Sequence, residues 1–268
     1  VRHRHWKSMT ALCGVLLLAG CMQSKAAAPV SESLARPALD RPASDSPAIP
    51  LFPIAGRTVV IDPGHNGGGA AHADEINAQV PDGRGGMKPC NTTGTSGTDG
   101  YTEHEFNWDV AQRVRDVLTA RGFQVIMSRD SDTGVGPCVN DRGTLGNRVG
   151  AAAVVSIHAD GAPAGAHGFH VAYSSPALND AQSGPSVQLA TTLRDTLAGS
   201  GFTPSTYVGS NGLNPRPDLA GLNFSERPTA LVECGNMRDP RDAAILESPD
   251  GRARFAQAIA DAVAAYLR

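Results

Sequence analysis

The chain has 268 residues, enough for one domain of good size with appendages, and is rich in glycine and proline but poor in aromatics. A net charge of −3 and a pI near 6.2 leave no basic footprint of the kind that nucleic acid requires. No apolar run reaches the roughly 18 residues that a spanning helix needs.

The first segment, VRHRHWKSMTALCGVLLLAGC over residues 1–21, has the pattern of an export signal. Arg2, Arg4 and Lys7 precede an apolar stretch from about Thr10 to Gly20. Its ending, Leu18-Ala19-Gly20-Cys21, resembles a bacterial lipobox, which implies a lipidated Cys21 and attachment to a membrane in the cell envelope. Cleavage of an ordinary signal elsewhere is the alternative. Residues 22–53 are Ala, Pro and Ser with scattered charge and read as a disordered linker. Residues 54–268 then read as one domain, expected to be monomeric.

Within that domain Thr58-Val59-Val60-Ile61 is a short β-branched run that predicts a buried strand over 58–62. Asp62-Pro63-Gly64 is turn chemistry, and it leaves His65 at the mouth of the strand. A long loop leads to a predicted helix over 103–121, followed by a strand over 123–127 and a helical stretch around 139–149. AAAVVSIHAD predicts a buried strand ending at His158. GFHVAYSS is another strand, SVQLATTLRDTLAGSG a helix, TALVECG a last buried strand, and 251–267 a closing amphipathic helix. This order predicts an α/β domain with a mainly parallel, mixed twisted sheet covered by helices on both faces.

The cysteines sort by position. Cys90 and Cys138 lie in polar, Gly-rich loops, and in an exported chain they form the natural disulfide pair. Their spacing fits no common zinc pattern. Cys234 sits in an apolar strand and reads as a small buried hydrophobe.

Three strands carry a residue able to bind metal or move protons near their ends: His65, His158 and Glu233. Strand ends in such sheets meet along one edge. Two His and one carboxylate, with a position left open, form a known catalytic zinc set. The carboxylate is sought in TDGYTEHEFNWDVAQRVRDVL, which offers Glu103 and Glu105. Phe106, Val110, Val114, Val117 and Leu118 form the apolar face of this helix, and Glu103 extends that stripe inward. Glu105 falls on the wet face, three residues after Thr102, where it completes a capping box. His65, Glu103 and His158 are therefore the expected metal ligands, and Glu233 remains as a further group able to bind metal or move protons. His72, His104, His167 and His170 read as structural or solvated.

With these residues assembled, the chain resembles the zinc-dependent N-acetylmuramoyl-L-alanine amidases, which trim bacterial peptidoglycan. VVIDPGHNGG is similar to that family's opening strand and first ligand, EHEFNWDVAQRV to its ligand helix, VVSIHAD to its third ligand segment, and PTALVECGNMRDPRDAAIL to its closing segment. The resemblance spans about residues 57–268. It implies zinc held by His65, Glu103 and His158, a catalytic Glu233, and peptidoglycan or its muropeptide fragments as substrate. Two departures stand out: the long loop from Asn66 to Tyr101, and ECGNM where the family more often has Gly-Phe. A zinc peptidase acting on the stem peptide would use the same residues. A non-catalytic wall-binding lipoprotein would need neither Glu233 nor zinc.

Overall fold

The computed structural model of the protein describes residues 57–268; the predicted export signal, Cys21 and the predicted linker lie outside the described residues. The β-branched run opens the fold as β1 (Thr58–Pro63), followed by α1 (Ala73–Ile76) and a small hairpin of β2 (Gln79–Pro81) and β3 (Met87–Pro89). Next come α2 (Glu103–Ala120), β4 (Gln124–Met127), α3 (Val139–Val149) and β5 (Ala153–Asp160). The second half contributes β6 (His170–Ser174), α4 (Asp180–Ser183), α5 (Pro185–Gly199), β7 (Leu213–Arg216) and α6 (Ala220–Asn223). It closes with β8 (Thr229–Asn236), α7 (Pro240–Leu246) and α8 (Pro249–Tyr266).

Six strands form one sheet in the order β4-β1-β5-β8-β6-β7. The first four are parallel, β6 runs antiparallel to β8, and β7 is parallel to β6. Alternation along each strand sorts the residues. Val59, Ile61, Val155, Ile157, Val171 and Val232 join the main core under α2, α5 and α8. The opposite face packs Val60 and Val154 against α3, and Ala172 and Leu231 beside α6. Helices therefore cover both faces, as the alternating element order predicts.

Local sequence explains the boundaries. Thr102 and Glu105 form the capping box that starts α2, and Gly150, in the left-handed region at φ 63°, stops α3. The predicted disulfide is present between Cys90 and Cys138, and Cys234 is free and buried. The fold departs from expectation in several places. β5 does not end at His158 but continues to Asp160, through an irregularity in its pairing with β8. The segment from Asn66 to Tyr101 is not a bare loop: it holds α1 and the hairpin, tied down from a distance by Arg84, which donates to Asn223, Ser174 and Pro176. α7, with Asp239 as its N-cap, and β7 are further additions.

Candidate metal centre

The turn after β1 is built for close approach. A Cβ on Gly64 would collide with the imidazole of His158, so only glycine lets the two strand ends meet. Asn107 of α2 donates to the Gly64 carbonyl at 3.1 Å, and the buried Arg129 donates to the Pro63 carbonyl at 3.1 Å. His65 itself takes a positive φ of 57°, an uncommon conformation for a side-chain-bearing residue, held here by its surroundings. Beneath the turn, Asp62 accepts from Arg142 Nε and Nη2 at 2.7 and 2.8 Å. Burial works to raise the Asp62 pKa, but the Arg142 charge and hydrogen bonds, with those of Ser128 and Ser156, hold it well below the carboxylate range.

Three predicted ligands converge on this turn. His65 comes from the loop after β1, Glu103 from the first position of α2, and His158 from β5, and their donor atoms lie within 4.8 Å of one another. Glu103 is 5% exposed. Its Oε1 stands 3.1 Å from His65 Nε2 and 2.9 Å from His158 Nδ1, while Oε2 accepts from the Thr95 backbone N–H at 2.9 Å. Burial alone would raise the Glu103 pKa, yet the two imidazoles hold it well below the ordinary value. Burial also lowers the His158 pKa against the opposing pull of Glu103, the direction that favours the neutral ring a metal ligand needs. His65 Nδ1–H donates to the Thr92 carbonyl at 2.8 Å, which leaves Nε2 as the ligating atom. Two imidazole nitrogens and one carboxylate, buried and oriented, fit a zinc-type ion with a position left for water or substrate.

Glu233 lies in the same row of the sheet, opposite His158 on β5 and opposite His170 on β6. Its Oε2 is buried without a hydrogen-bond partner. Burial, then the nearby Glu103 and Asp160 charges, push its pKa well above the carboxylate range, with Arg216 opposing. His170 is 2% exposed, and burial pushes its pKa down to about 4. Its Nδ1 is unpartnered, and its ring meets Tyr207 edge-on. Sequence reading set His170 apart as structural and did not place it beside Glu233. The alternation of His170, Ala172 and Ser174 was the available sign, but it gives no strand neighbour.

The other histidines among the described residues stay outside the cluster. His104 pairs with Asp132 at 2.7 Å, His72 with Glu75 at 2.8 Å, and His167 accepts from Arg241. Glu105 does what the capping box asks, accepting from the Thr102 N–H at 3.0 Å. Above the centre opens a cleft of about 410 Å³ reaching Glu103, His158, Glu233 and Arg238. It shares His65, His158 and Thr92 with a cavity of about 260 Å³ walled by Val154, Leu219 and Leu222. The ECGNM departure has a structural consequence: Asn236 is fully buried, donating to the Pro163 and Ala166 carbonyls at 3.2 and 2.7 Å.

Comparison with known proteins places these residues in a family context. The N-acetylmuramoyl-L-alanine amidase family profile matches residues 59–265. The N-acetylmuramoyl-L-alanine amidase Rv3717 of Mycobacterium tuberculosis is 49% identical over 214 residues, covering 80% of this chain and 88% of that protein. The crystal structure of the N-acetylmuramyl-L-alanine amidase Ami1 from Mycobacterium smegmatis is 54% identical, with a TM-score of 0.77, over 81% of this chain and 99% of its own. The apo form of Ami1 from Mycobacterium abscessus is 50% identical, also at a TM-score of 0.77, over 80% of this chain and 100% of its own.

Proposed function

Because this chain belongs to the N-acetylmuramoyl-L-alanine amidase family, we propose that it hydrolyses the amide between N-acetylmuramic acid and L-alanine in peptidoglycan, using zinc and Glu233. The observation that carries this reading is the convergence of His65, Glu103 and His158 within 4.8 Å, in one cleft with a carboxylate whose Oε2 is buried and unpartnered.

An amide is a poor electrophile, and neutral water a poor nucleophile. His65, Glu103 and His158 would hold the zinc, which would supply a Lewis acid to polarise the carbonyl and bring the pKa of water towards roughly 7. Glu233 takes the proton from the attacking water and delivers it to the nitrogen of L-alanine as the C–N bond breaks. Its raised pKa suits a group that must hold a proton between two transfers. Thr92 fixes the tautomer and direction of His65, and the Thr95 N–H fixes Glu103. The chain's own contribution is orientation and proton transfer in a cleft walled on one side by Leu219 and Leu231.

A peptidoglycan amidase works outside the cytoplasm. Residues 54–268 are the proposed catalytic domain, hung on the 22–53 linker from a lipidated Cys21 after removal of the preceding signal. Mass spectrometry of muropeptides digested with the zinc-loaded domain tests the activity. Release of intact stem peptides beginning at L-alanine is the expected result. Cuts within the stem would instead make it a peptidase, and no cleavage with full zinc loading would leave a binding protein.

A further inference from the structure

The cleft has a cation to spare. Arg238, exposed on the turn after β8, lines both the cleft over the metal centre and a polar arm of about 240 Å³ that runs past Gly67, Thr95 and Thr102. The other basic side chains around the site are committed. Arg142 pairs with Asp62, Arg129 with Asp132, Arg216 with Asp218 and Arg241 with Asp239, and Lys88 donates to the Asp218 carbonyl. Arg238 hydrogen-bonds through its backbone N–H, which donates to Asn236 Oδ1 at 3.0 Å; among the described residues its guanidinium pairs with no carboxylate.

The backbone that presents it is fixed. Asn236 is locked by the Pro163 and Ala166 carbonyls, and its own N–H donates to Asp242 at 2.8 Å. Asp239, buried one residue beyond Arg238, caps α7 and donates its N–H to the Asn236 carbonyl at 3.0 Å. A rigid turn carrying an unpaired guanidinium over a groove is suited to a carboxylate, which it meets with two parallel hydrogen bonds.

Resting on the amidase reading, the substrate decides which carboxylate. The glycan and the lactyl acyl group beside the scissile bond are uncharged, so the anion must come from the stem peptide. L-alanine contributes none once it is linked onward. At about 3.5 Å per residue, the α-carboxylate of the following γ-linked D-glutamate lies within about 7 Å of the scissile nitrogen. That reach fits a side chain lining the same cleft as Glu233. We propose that Arg238 is a specificity-determining residue that binds the α-carboxylate of the second stem residue. The peptide then leaves the centre along the Arg238 arm, and the muramoyl side faces the cavity walled by Leu219 and Leu222.

Three muramoyl tripeptides test this with the zinc-loaded protein. The first is L-alanyl-γ-D-glutamyl-L-lysine amide; the second carries a carboxamide in place of the D-glutamate α-carboxylate; the third adds a free lysine carboxylate to the second. The wild type is expected to favour the first over the second by about tenfold in kcat/KM, through KM, as a charged hydrogen bond does. Arg238→Gln should collapse that ratio to near one, and Arg238→Lys, which keeps charge without the fork, should give an intermediate ratio. Each ratio is internal to one preparation, so a partly inactive variant does not distort it. A wild type indifferent between the first two, or a preference that survives Arg238→Gln, overturns the assignment. An Arg238-dependent gain on the third substrate would move the contact to the third residue and overturn it as well. Cleavage of none of the three by the wild type would instead refute the amidase reading on which it rests.

Discussion

The two faces of the central sheet are made by the same strands and obey different rules. On β5, Val155, Ile157 and Ala159 are fully buried against α2, α5 and α8. Their neighbours Ser156, His158 and Asp160 turn the other way, towards the cleft and its metal centre. The face under α2, α5 and α8 is mainly apolar, and each fully buried large side chain there contributes roughly 1.5–3 kcal/mol. The cleft side keeps polar atoms without partners, Glu233 Oε2 and His170 Nδ1 among them, each costing about 1–3 kcal/mol. A period of two residues thus gives one face of each strand to the main core and the other to the polar groups around the site, so substitutions at core and site positions should fail in different ways.

The largest effect belongs to the ligands. Replacing His65, Glu103 or His158 by Ala should lower bound zinc and activity together, to background turnover, and metal analysis beside a muropeptide release assay reads both. An Ala variant that keeps full zinc removes that residue from the set. Chelation of the wild type should abolish activity reversibly, with recovery on adding zinc.

Glu233→Gln should retain zinc yet lose roughly 10²–10⁴-fold in turnover. On the proposed mechanism Glu233 must act as its anion, and burial raises its pKa, so the acid limb of kcat/KM should lie above the ordinary carboxylate range. A native pKa raised above the unfolded value also means that ionisation costs stability, increasingly as pH rises through the native pKa. Gln removes that cost, so the variant should melt higher than wild type at neutral pH. A variant that is both fully active and no more stable would overturn the role and the reason given for it.

Two variants bracket the stability side. Asp62→Asn tests a cleft-face residue whose work is structural: it leaves Arg142 buried beside a neutral partner and should cost about 3–5 kcal/mol at pH 7. The native Asp62 pKa lies below the unfolded one, so this stability is present above about pH 4 and is lost as pH falls through the native value. Urea melts of wild type and variant should therefore converge in acid. On the helix side, Phe106→Ala should cost about 3–5 kcal/mol while the remaining folded molecules hold zinc and turn over normally.

Sequence carried the elements whose signals are local. The β-branched Thr58–Ile61 run, the apolar stripe behind Glu103 and the Thr102–Glu105 capping box each announce themselves within one turn or strand. What lay beyond reach depends on who sits next to whom. His170 comes opposite Glu233 because β6 inserts antiparallel between β8 and β7, an order that no local pattern encodes. The hairpin strands have three residues each and are held by Arg84 and the Cys90–Cys138 bridge rather than by propensity. Thr92 contributes a backbone carbonyl, which leaves no mark in residue type. Nothing in residue type marks Arg238 as unpaired, because that depends on where the carboxylates of its neighbours are engaged.

The smallest expected effect sharpens the comparison most, because it concerns two glutamates separated by one residue. Glu103 and Glu105 share one helical turn but point roughly 200° apart at about 100° per residue. Glu103 reaches the two histidines, whereas Glu105 stays exposed and accepts from Thr102 N–H and Oγ1 at 3.0 and 2.6 Å. Glu105→Gln keeps a carbonyl oxygen for that capping box and loses the negative charge at the helix N-terminus, worth about 0.3–1 kcal/mol and weakened by salt. Hydrogen bonds from Thr102 hold the Glu105 pKa below its ordinary value, so this contribution is present at neutral pH and fades in acid. Zinc content and kcat should be unchanged, with a small loss in melting temperature that disappears as pH falls below about 4. Metal analysis of Glu105→Gln beside Glu103→Ala decides the register of α2: zinc lost from the first and kept by the second would place the wrong carboxylate in the centre.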